Sequence, residues 1–165
     1  VALDLKSGEE VVLREGALTK AVSASCAIPG ILPPVVIGDR SLVDGGWINR
    51  VPVGPLRRMG ADLVIAVDVA EDIQETRNYD TGLDIVLRAY DITQNSLSQC
   101  QLREADVVIR PDVSGVHWSD FGHLDDCLRA GEEAVKDKRD EIRRLIRRKK
   151  IKKAFFLPLG SSSSP

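Results

Sequence analysis

Short apolar runs separated by glycine-containing turns characterise the first third of the chain. Two pairs of runs stand on either side of such a turn: residues 3–5 with 10–13, and residues 35–37 with 41–43. Gly8 lies in the first turn, where its freedom to adopt a positive φ angle suits a tight connection. The pattern therefore predicts two β-hairpins, and the last strand of the second hairpin leads directly into Asp44.

Further along the chain, helical and extended patterns alternate. Helices are predicted for residues 17–27, 55–60, 81–102 and from about residue 124 onward, and strands for residues 63–69 and 105–110. Residues 63–69 are apolar and β-branched without alternation, as in a strand that is buried on both faces of a parallel sheet. Thr81 and Asp84 have the spacing of a helix-capping pair. Strands that alternate with helices indicate the α/β fold class.

Composition limits the class of protein. The chain has 165 residues, 43% of them hydrophobic, and a net charge of −2, which suits one domain with its own core. It contains no run of eighteen apolar residues and shows no signal-peptide pattern, so a cytoplasmic or peripheral membrane location is expected. Cys26, Cys100 and Cys127 are odd in number and lack metal-ligand spacing, which predicts reduced thiols in the core.

Charge is divided unevenly along the chain. Residues 1–135 carry 12 basic and 22 acidic side chains, whereas residues 136–165 carry 11 basic and 3 acidic ones. The basic segment has three open interpretations: a solvated helix end that complements the helix dipole, an interfacial helix on anionic lipid, or a nucleic-acid contact. The acidic body argues against nucleic acid. The residues predicted to contact a membrane are Arg147, Arg148, Lys149, Lys150, Lys152, Lys153, Phe155 and Phe156.

Asp44-Gly45-Gly46 is the main candidate for catalytic chemistry. An Asp-Gly pair after an apolar run is often only a turn. A carboxylate that two glycines fix at the end of a strand is, however, able to approach a hydroxyl and act as its base. From these residues alone a structural turn is favoured, and a catalytic role for Asp44, with Gly45 and Gly46 as its active-site turn, is the second interpretation.

The other serines and the histidines are weaker candidates. Ser23 and Ser25 lie close to Asp44 in sequence but lack the flanking glycines of a nucleophile elbow. His117 and His123 belong to no motif, and we expect them at the surface or at helix caps.

Three further aspartates adjoin predicted strands. No cluster of histidines or further carboxylates with metal-ligand spacing accompanies Asp4, Asp62 or Asp68, so we expect turn or cap carboxylates rather than metal ligands. The sequence predicts neither a metal nor a cofactor.

A block with several fixed spacings covers residues 23–69 and contains Ile28-Pro29, Pro33-Pro34, Leu42-Val43-Asp44-Gly45-Gly46 and Pro52-Val53. Together these spacings resemble the patatin-like phospholipase family of bacterial type. The similarity continues through residues 105–112 and fades after about residue 135. In that family Asn49 matches a position often filled by asparagine, for which we expect a structural hydrogen bond.

The resemblance implies both a fold and an activity. The implied fold is a three-layer α/β/α sandwich with a mainly parallel central sheet, incomplete at its N-terminal side. The implied activity is that of a serine acyl hydrolase acting on a phospholipid, lysophospholipid or other lipid ester. In the family a serine in a Gly-x-Ser-x-Gly elbow attacks the ester and an aspartate, here Asp44, accepts its proton.

Neither the Gly-x-Ser-x-Gly elbow nor the family's glycine-rich oxyanion loop occurs in the 165 residues. The resemblance therefore implies the C-terminal portion of a catalytic domain at residues 1–135, which we expect to be inactive alone. Residues 136–159 are predicted to form a basic helical extension, and residues 160–165 a disordered tail. The alternative function is a non-catalytic lipid-surface or interaction module that acts through the basic helix.

Overall fold

The computed structural model describes residues 1–69, 81–116 and 120–156, without the side chains of residues 83, 87 and 151–156. The strands are β1 (Ala2–Asp4), β2 (Glu10–Val11), β3 (Val35–Ile37), β4 (Arg40–Asp44), β5 (Ile65–Val67) and β6 (Val107–Ile109). The α-helices are α1 (Leu18–Ser25), α2 (Val53–Arg58), α3 (Gly82–Leu102) and α4 (Leu124–Phe156). Short 3-10 turns cover Gly45–Trp47 and Phe121–His123. The mixed α/β class is confirmed.

Four of the described strands form an antiparallel sheet in the order β2-β1-β4-β3. Both predicted hairpins are present in it, and Gly8 has the predicted positive φ of 74°. Strand β1 lies against β4 in a register that places Ala2 opposite Asp44. The candidate aspartate therefore stands at the end of a central strand of this sheet.

Asp4 joins the two hairpins. Its buried carboxylate accepts hydrogen bonds from the backbone N–H groups of Lys6 and Ser41, at 3.2 and 3.1 Å, and from the Ser7 hydroxyl at 3.3 Å. The Lys6 N–H is the main cause that lowers the pKa of Asp4. Asp4 is thus the turn carboxylate that the sequence predicted.

Strands β5 and β6 form a parallel pair. Val64 and Ala66 are buried in a core cluster with Val51, Val53 and Leu102, whereas Ile65 and Val67 are exposed. The prediction that this strand is buried on both faces is therefore wrong for the described residues. This core cluster involves only one side of β5, and the side chains that point the other way remain exposed.

The start of helix α3 agrees with the sequence prediction, whereas the start of α2 differs from it by two residues. The Thr81 hydroxyl accepts from the Asp84 N–H at 3.2 Å and the Asp84 carboxylate accepts from the Thr81 N–H at 2.9 Å, which confirms the predicted capping pair of α3. Helix α2 begins at Val53, two residues before the predicted start at Pro55. None of the described helices is long and apolar enough to cross a membrane.

The three cysteines are free, as predicted, but they are not in the core. Cys26 caps the end of α1 and is exposed, Cys100 is exposed on α3, and Cys127 is half-buried on α4. The apolar character of a thiol favours burial, but it does not show which way a cysteine faces on a helix, so the prediction of core positions was wrong.

Asp106 fastens α4 to the rest of the chain. Its carboxylate accepts hydrogen bonds from Arg57 Nη2 at 2.6 Å, from Lys149 Nζ at 2.8 Å and from the Val64 N–H at 2.9 Å. Lys149 also donates to the backbone carbonyl of Asp62. Burial alone would raise the pKa of Asp106, but the three donors outweigh it and lower the pKa to about 2.

We expect Asp106→Asn to destabilise the fold in a pH-dependent manner. A carboxylate whose pKa is depressed stabilises the folded state above its unfolded pKa, here 3.8, and this stabilisation is lost as the pH falls toward about 2. The difference in unfolding free energy between wild type and variant should be roughly 1 to 2 kcal/mol near neutral pH, allowing for solvent screening. Denaturant unfolding between pH 7 and pH 2 measures this difference.

Asp140→Asn is the matched control, because it removes an exposed carboxylate from the same helix that contacts Asp106. Its effect should stay small throughout the range. A difference for Asp106→Asn that is the same at both ends of the pH range would contradict the assignment.

Candidate active site

Asp44 occupies the junction between β4 and the 3-10 turn Gly45–Trp47. The backbone N–H of Asp44 donates to the carbonyl of Ala27 at 2.9 Å, so the loop after α1 fixes this end of the strand. Ala24 and Ala27 are buried beside it, and their small side chains allow α1 and its loop to approach the sheet closely. The small residues that precede Asp44 in sequence therefore set its position.

The side chain of Asp44 caps its own turn. Its Oδ1 atom accepts a hydrogen bond from the Gly46 N–H at 2.7 Å. The turn is closed by the N–H groups of Ile48 and Asn49, which donate to the Gly45 carbonyl at 3.1 and 2.8 Å. Among the described residues none donates to Oδ2 of Asp44. One carboxylate oxygen is thus held in place, and the other is left to interact with a further group.

Space rather than backbone angle restricts the two glycine positions of the turn, strictly at Gly45 and less so at Gly46, since neither has a positive φ. A Cβ atom on Gly45 would stand 2.4 Å from the Val1 carbonyl oxygen and 2.7 Å from its carbon. A Cβ atom on Gly46 would stand 3.1 Å from Asp44 Oδ1. The first glycine permits β1 to pass, and the second keeps the capping contact of the carboxylate unobstructed.

Helix α3 covers the turn with residues that the sequence reasoning missed. The rings of Trp47 and Tyr90 stack with a centroid separation of 4.0 Å and an interplanar angle of 24°. The side-chain amides of Gln94 and Gln101 donate to the carbonyls of Trp47 and Ile48, at 3.0 and 3.4 Å. The sequence does show polar residues at helical spacing along α3, which indicates a polar face of the helix. It does not show which part of the chain that face contacts.

The pKa of Tyr90 depends on the charged groups around the turn. Burial is the main cause that raises the pKa of Tyr90 to about 12; the negative charges of Asp44 and Asp91 add to this effect, while Arg50 opposes it. Arg50 forms an ion pair with Asp91 at 3.7 Å. The phenol is therefore neutral in the physiological pH range and lies within electrostatic reach of Asp44.

On the other side, β2 supports the segment after the turn. The Asn49 side-chain amide donates to Glu10 Oε1 at 2.6 Å, which confirms the expected structural hydrogen bond. The other oxygen of Glu10 accepts from Arg58 at 2.9 Å. The turn is thus held between β2 and α3.

The remaining candidates do not form a second catalytic group in the described residues. Ser23 is exposed on α1, and Ser25 is half-buried at its last position. His123 bonds to Asp126 at 2.9 Å beside the start of α4, and this contact, followed by the charge of Asp120, raises its pKa. The His123 side chain is thus exposed, in agreement with the predicted surface role. His117 lies outside the described residues.

Two of the predicted non-catalytic aspartates have defined surroundings. Asp68 is buried and pairs with Arg110 at 3.3 Å. Asp62 contributes its carbonyl to Lys149. In the part of the chain that the structure describes, no group of three or more histidine, cysteine, aspartate or glutamate side chains is placed to hold a metal ion.

The basic helix divides into a docked face and an open face. Lys149 is half-buried and bound to Asp106, whereas Arg147, Arg148 and Lys150 are exposed. The side chains of Lys152, Lys153, Phe155 and Phe156 are outside the described residues. Of the residues predicted to contact a membrane, the structure thus presents three to solvent and engages one internally.

Comparison with known proteins shows which family this chain is similar to. A sequence model described as Patatin-like phospholipase matches residues 5–57, a segment that contains Asp44 and both glycines. An uncharacterized NTE family protein of Mycobacterium tuberculosis is 29% identical over 160 residues, covering 82% of this chain and 27% of the relative. The chain thus spans about a quarter of that relative's length.

Eukaryotic relatives agree with this result. Patatin-like phospholipase domain-containing protein 7 of Rattus norvegicus is 28% identical over 158 residues, covering 79% of this chain and 12% of the relative. Lysophospholipase NTE1 of Debaryomyces hansenii is 28% identical over 135 residues, covering 67% of this chain and 9% of the relative. These similarities support a relationship between this chain and the patatin-like phospholipase family.

Proposed function

We propose that this chain supplies the general base of a lipid ester hydrolase. Asp44 is the base, and the nucleophile is a serine that lies outside the 165 residues. The observation that carries the proposal is the state of the Asp44 carboxylate: Oδ1 is fixed by the Gly46 N–H, and no described residue donates to Oδ2. A half-buried carboxylate in this state is oriented before substrate arrives, as general-base catalysis requires.

The proposed reaction proceeds in two steps. Asp44 Oδ2 accepts the serine proton as the serine oxygen attacks the ester carbonyl carbon, and the proton then passes to the departing alcohol, which leaves an acyl-serine. Water then attacks the acyl-serine while Asp44 takes its proton, and the collapse of this intermediate returns the proton to serine and releases the fatty acid. Backbone donors for the oxyanion would come from outside this chain.

The substrate class is proposed from the relatives. The rat relative is called a patatin-like phospholipase domain-containing protein and the yeast relative a lysophospholipase. We infer a glycerophospholipid or lysophospholipid ester as the substrate. Because the serine is absent from the sequence, the 165 residues alone should not hydrolyse it.

We expect Asp44→Asn to lower kcat for ester hydrolysis by about 100-fold or more, since it removes the general base. Asparagine keeps an oxygen that can accept from the Gly46 N–H, so the turn is retained. Hydrolysis of a nitrophenyl ester and of phospholipid should be measured with the natural polypeptide in which this sequence occurs and with the 165-residue chain alone.

Asp39→Asn is the control, because Asp39 is an exposed aspartate in the turn of the second hairpin. It should leave kcat unchanged. Full activity of Asp44→Asn would refute the assignment of the base, and activity of the 165-residue chain alone would refute the division of the site.

We also propose that the open face of α4 contacts an anionic lipid surface. From residue 143 onward, five cations of this helix are exposed and have no paired carboxylate among the described residues: Arg143, Arg144, Arg147, Arg148 and Lys150. The bond between Lys149 and Asp106 fixes the rotation of the helix, so these cations face away from the body. An enzyme that acts on bilayer lipids benefits from such a contact.

The triple variant Arg143→Gln, Arg147→Gln and Lys150→Gln should weaken binding to vesicles of phosphatidylcholine with phosphatidylglycerol. These residues follow helical spacing along one face, and each cation near the surface contributes about 1 kcal/mol, so the loss should be about 100-fold. Vesicle co-sedimentation at low and high salt measures it, and pure phosphatidylcholine should bind weakly in every case.

A charge-matched control is available on the same helix. Arg129, Lys136 and Arg139 are also exposed, but they lie among acidic residues, and Arg129 and Lys136 contact Asp126 and Glu132. Their replacement by glutamine should have a much smaller effect. Equal losses for the two triple variants, or tighter binding to duplex nucleic acid than to the anionic vesicles, would overturn the lipid proposal.

A further inference from the structure

Helix α3 approaches the Asp44 turn through a polar surface that does not contribute to the apolar core. Gln94 is 5% exposed, and its amide nitrogen donates to the Trp47 carbonyl at 3.0 Å. Its amide oxygen is buried and has no partner among the described residues. Because a buried acceptor without a donor costs stability, an apolar residue would serve a purely structural contact better.

The orientation of the Gln94 amide follows from chemistry. The Trp47 carbonyl is only an acceptor, so the nitrogen of the amide must face it. Gln101, two turns further along α3, repeats the arrangement: its nitrogen donates to the Ile48 carbonyl and its oxygen is buried without a partner. Two glutamines of one helix thus bind consecutive carbonyls of the segment that follows Asp44.

Tyr90 completes this surface, which we call the α3 clamp and define as Tyr90, Gln94 and Gln101. The Tyr90 ring lies against the Trp47 ring at 4.0 Å between centroids. Trp47 is therefore held at both its ring and its carbonyl. Trp47 is also the last residue of the 3-10 turn Gly45–Trp47. In the same turn, the N–H of Gly46 donates to the Asp44 carboxylate and fixes it.

We propose that Gln94 and Tyr90 are positioning residues for Asp44, which hold Trp47 and thereby keep the Gly46 N–H aligned on the Asp44 carboxylate. Neither residue needs to touch the substrate. The role in catalysis rests on the proposed function of Asp44, whereas the mechanical role of the clamp does not.

Hydrogen–deuterium exchange in the 165-residue chain tests the mechanical role. Gln94→Ala should accelerate exchange of the amides of residues 45–49 by about tenfold, the effect of losing one hydrogen bond on a local opening equilibrium. Exchange of residues 41–43 in β4 should change much less. Tyr90→Leu should act in the same way as Gln94→Ala, whereas Tyr90→Phe should preserve the ring stack and exchange at the wild-type rate.

Gln99→Ala is the matched control, because it removes the same side-chain amide from the exposed face of α3, where it contacts Arg110. It should leave the exchange of residues 45–49 unchanged. The proposal is overturned if Gln94→Ala also leaves that exchange unchanged, or if it accelerates β4 by the same factor, since the effect would then be general unfolding.

Kinetics of the natural polypeptide test the catalytic consequence. Gln94→Ala should lower kcat by about tenfold with KM nearly unchanged, because a misaligned base slows the chemical step without altering lipid binding. A rise in KM at constant kcat would overturn the positioning role. If Asp44→Asn keeps full activity, the proposed function fails, and the exchange result still decides whether the clamp holds the turn.

Discussion

The close passage of β1 beside the Gly45 backbone is the constraint on which the site depends. The Val1 carbonyl leaves no space for a side chain at position 45, and the antiparallel register places Ala2 opposite Asp44. From the other side, the Ala27 carbonyl binds the Asp44 N–H. Small residues surround the end of β4 because backbone approaches it from two directions, and the carboxylate has a defined position only while both approaches are maintained.

Local chemistry made much of the fold predictable. Both hairpins, the capping pair at the start of α3 and the position of Asp44 at the end of a strand depend on residues that are near one another in sequence. Turn glycines and capping side chains act within a few residues, so the amino-acid pattern contains the whole interaction. The same reasoning failed for the cysteines and for one face of β5, where exposure depends on what packs from elsewhere.

The remaining parts of the site could not be predicted because their partners are distant in sequence. Tyr90 and Gln94 meet Trp47 across more than forty positions, and a stacked ring or a buried glutamine looks the same in sequence whatever it contacts. The two faces of α4 are a similar case. The sequence showed a block of cations, but only the contact between Lys149 and Asp106 shows which cation is engaged internally and how the others are oriented.

The single carboxylate of Asp106 makes three parts of the chain energetically dependent on one another. Arg57 comes from α2, the Val64 N–H from the residue before β5, and Lys149 from α4. No share of the stabilisation belongs to one donor, because the removal of any one alters the charge and geometry that the other two experience. Substitutions at Arg57 and Lys149 are therefore epistatic, and evolutionary change at either position is conditional on the residue that occupies the other.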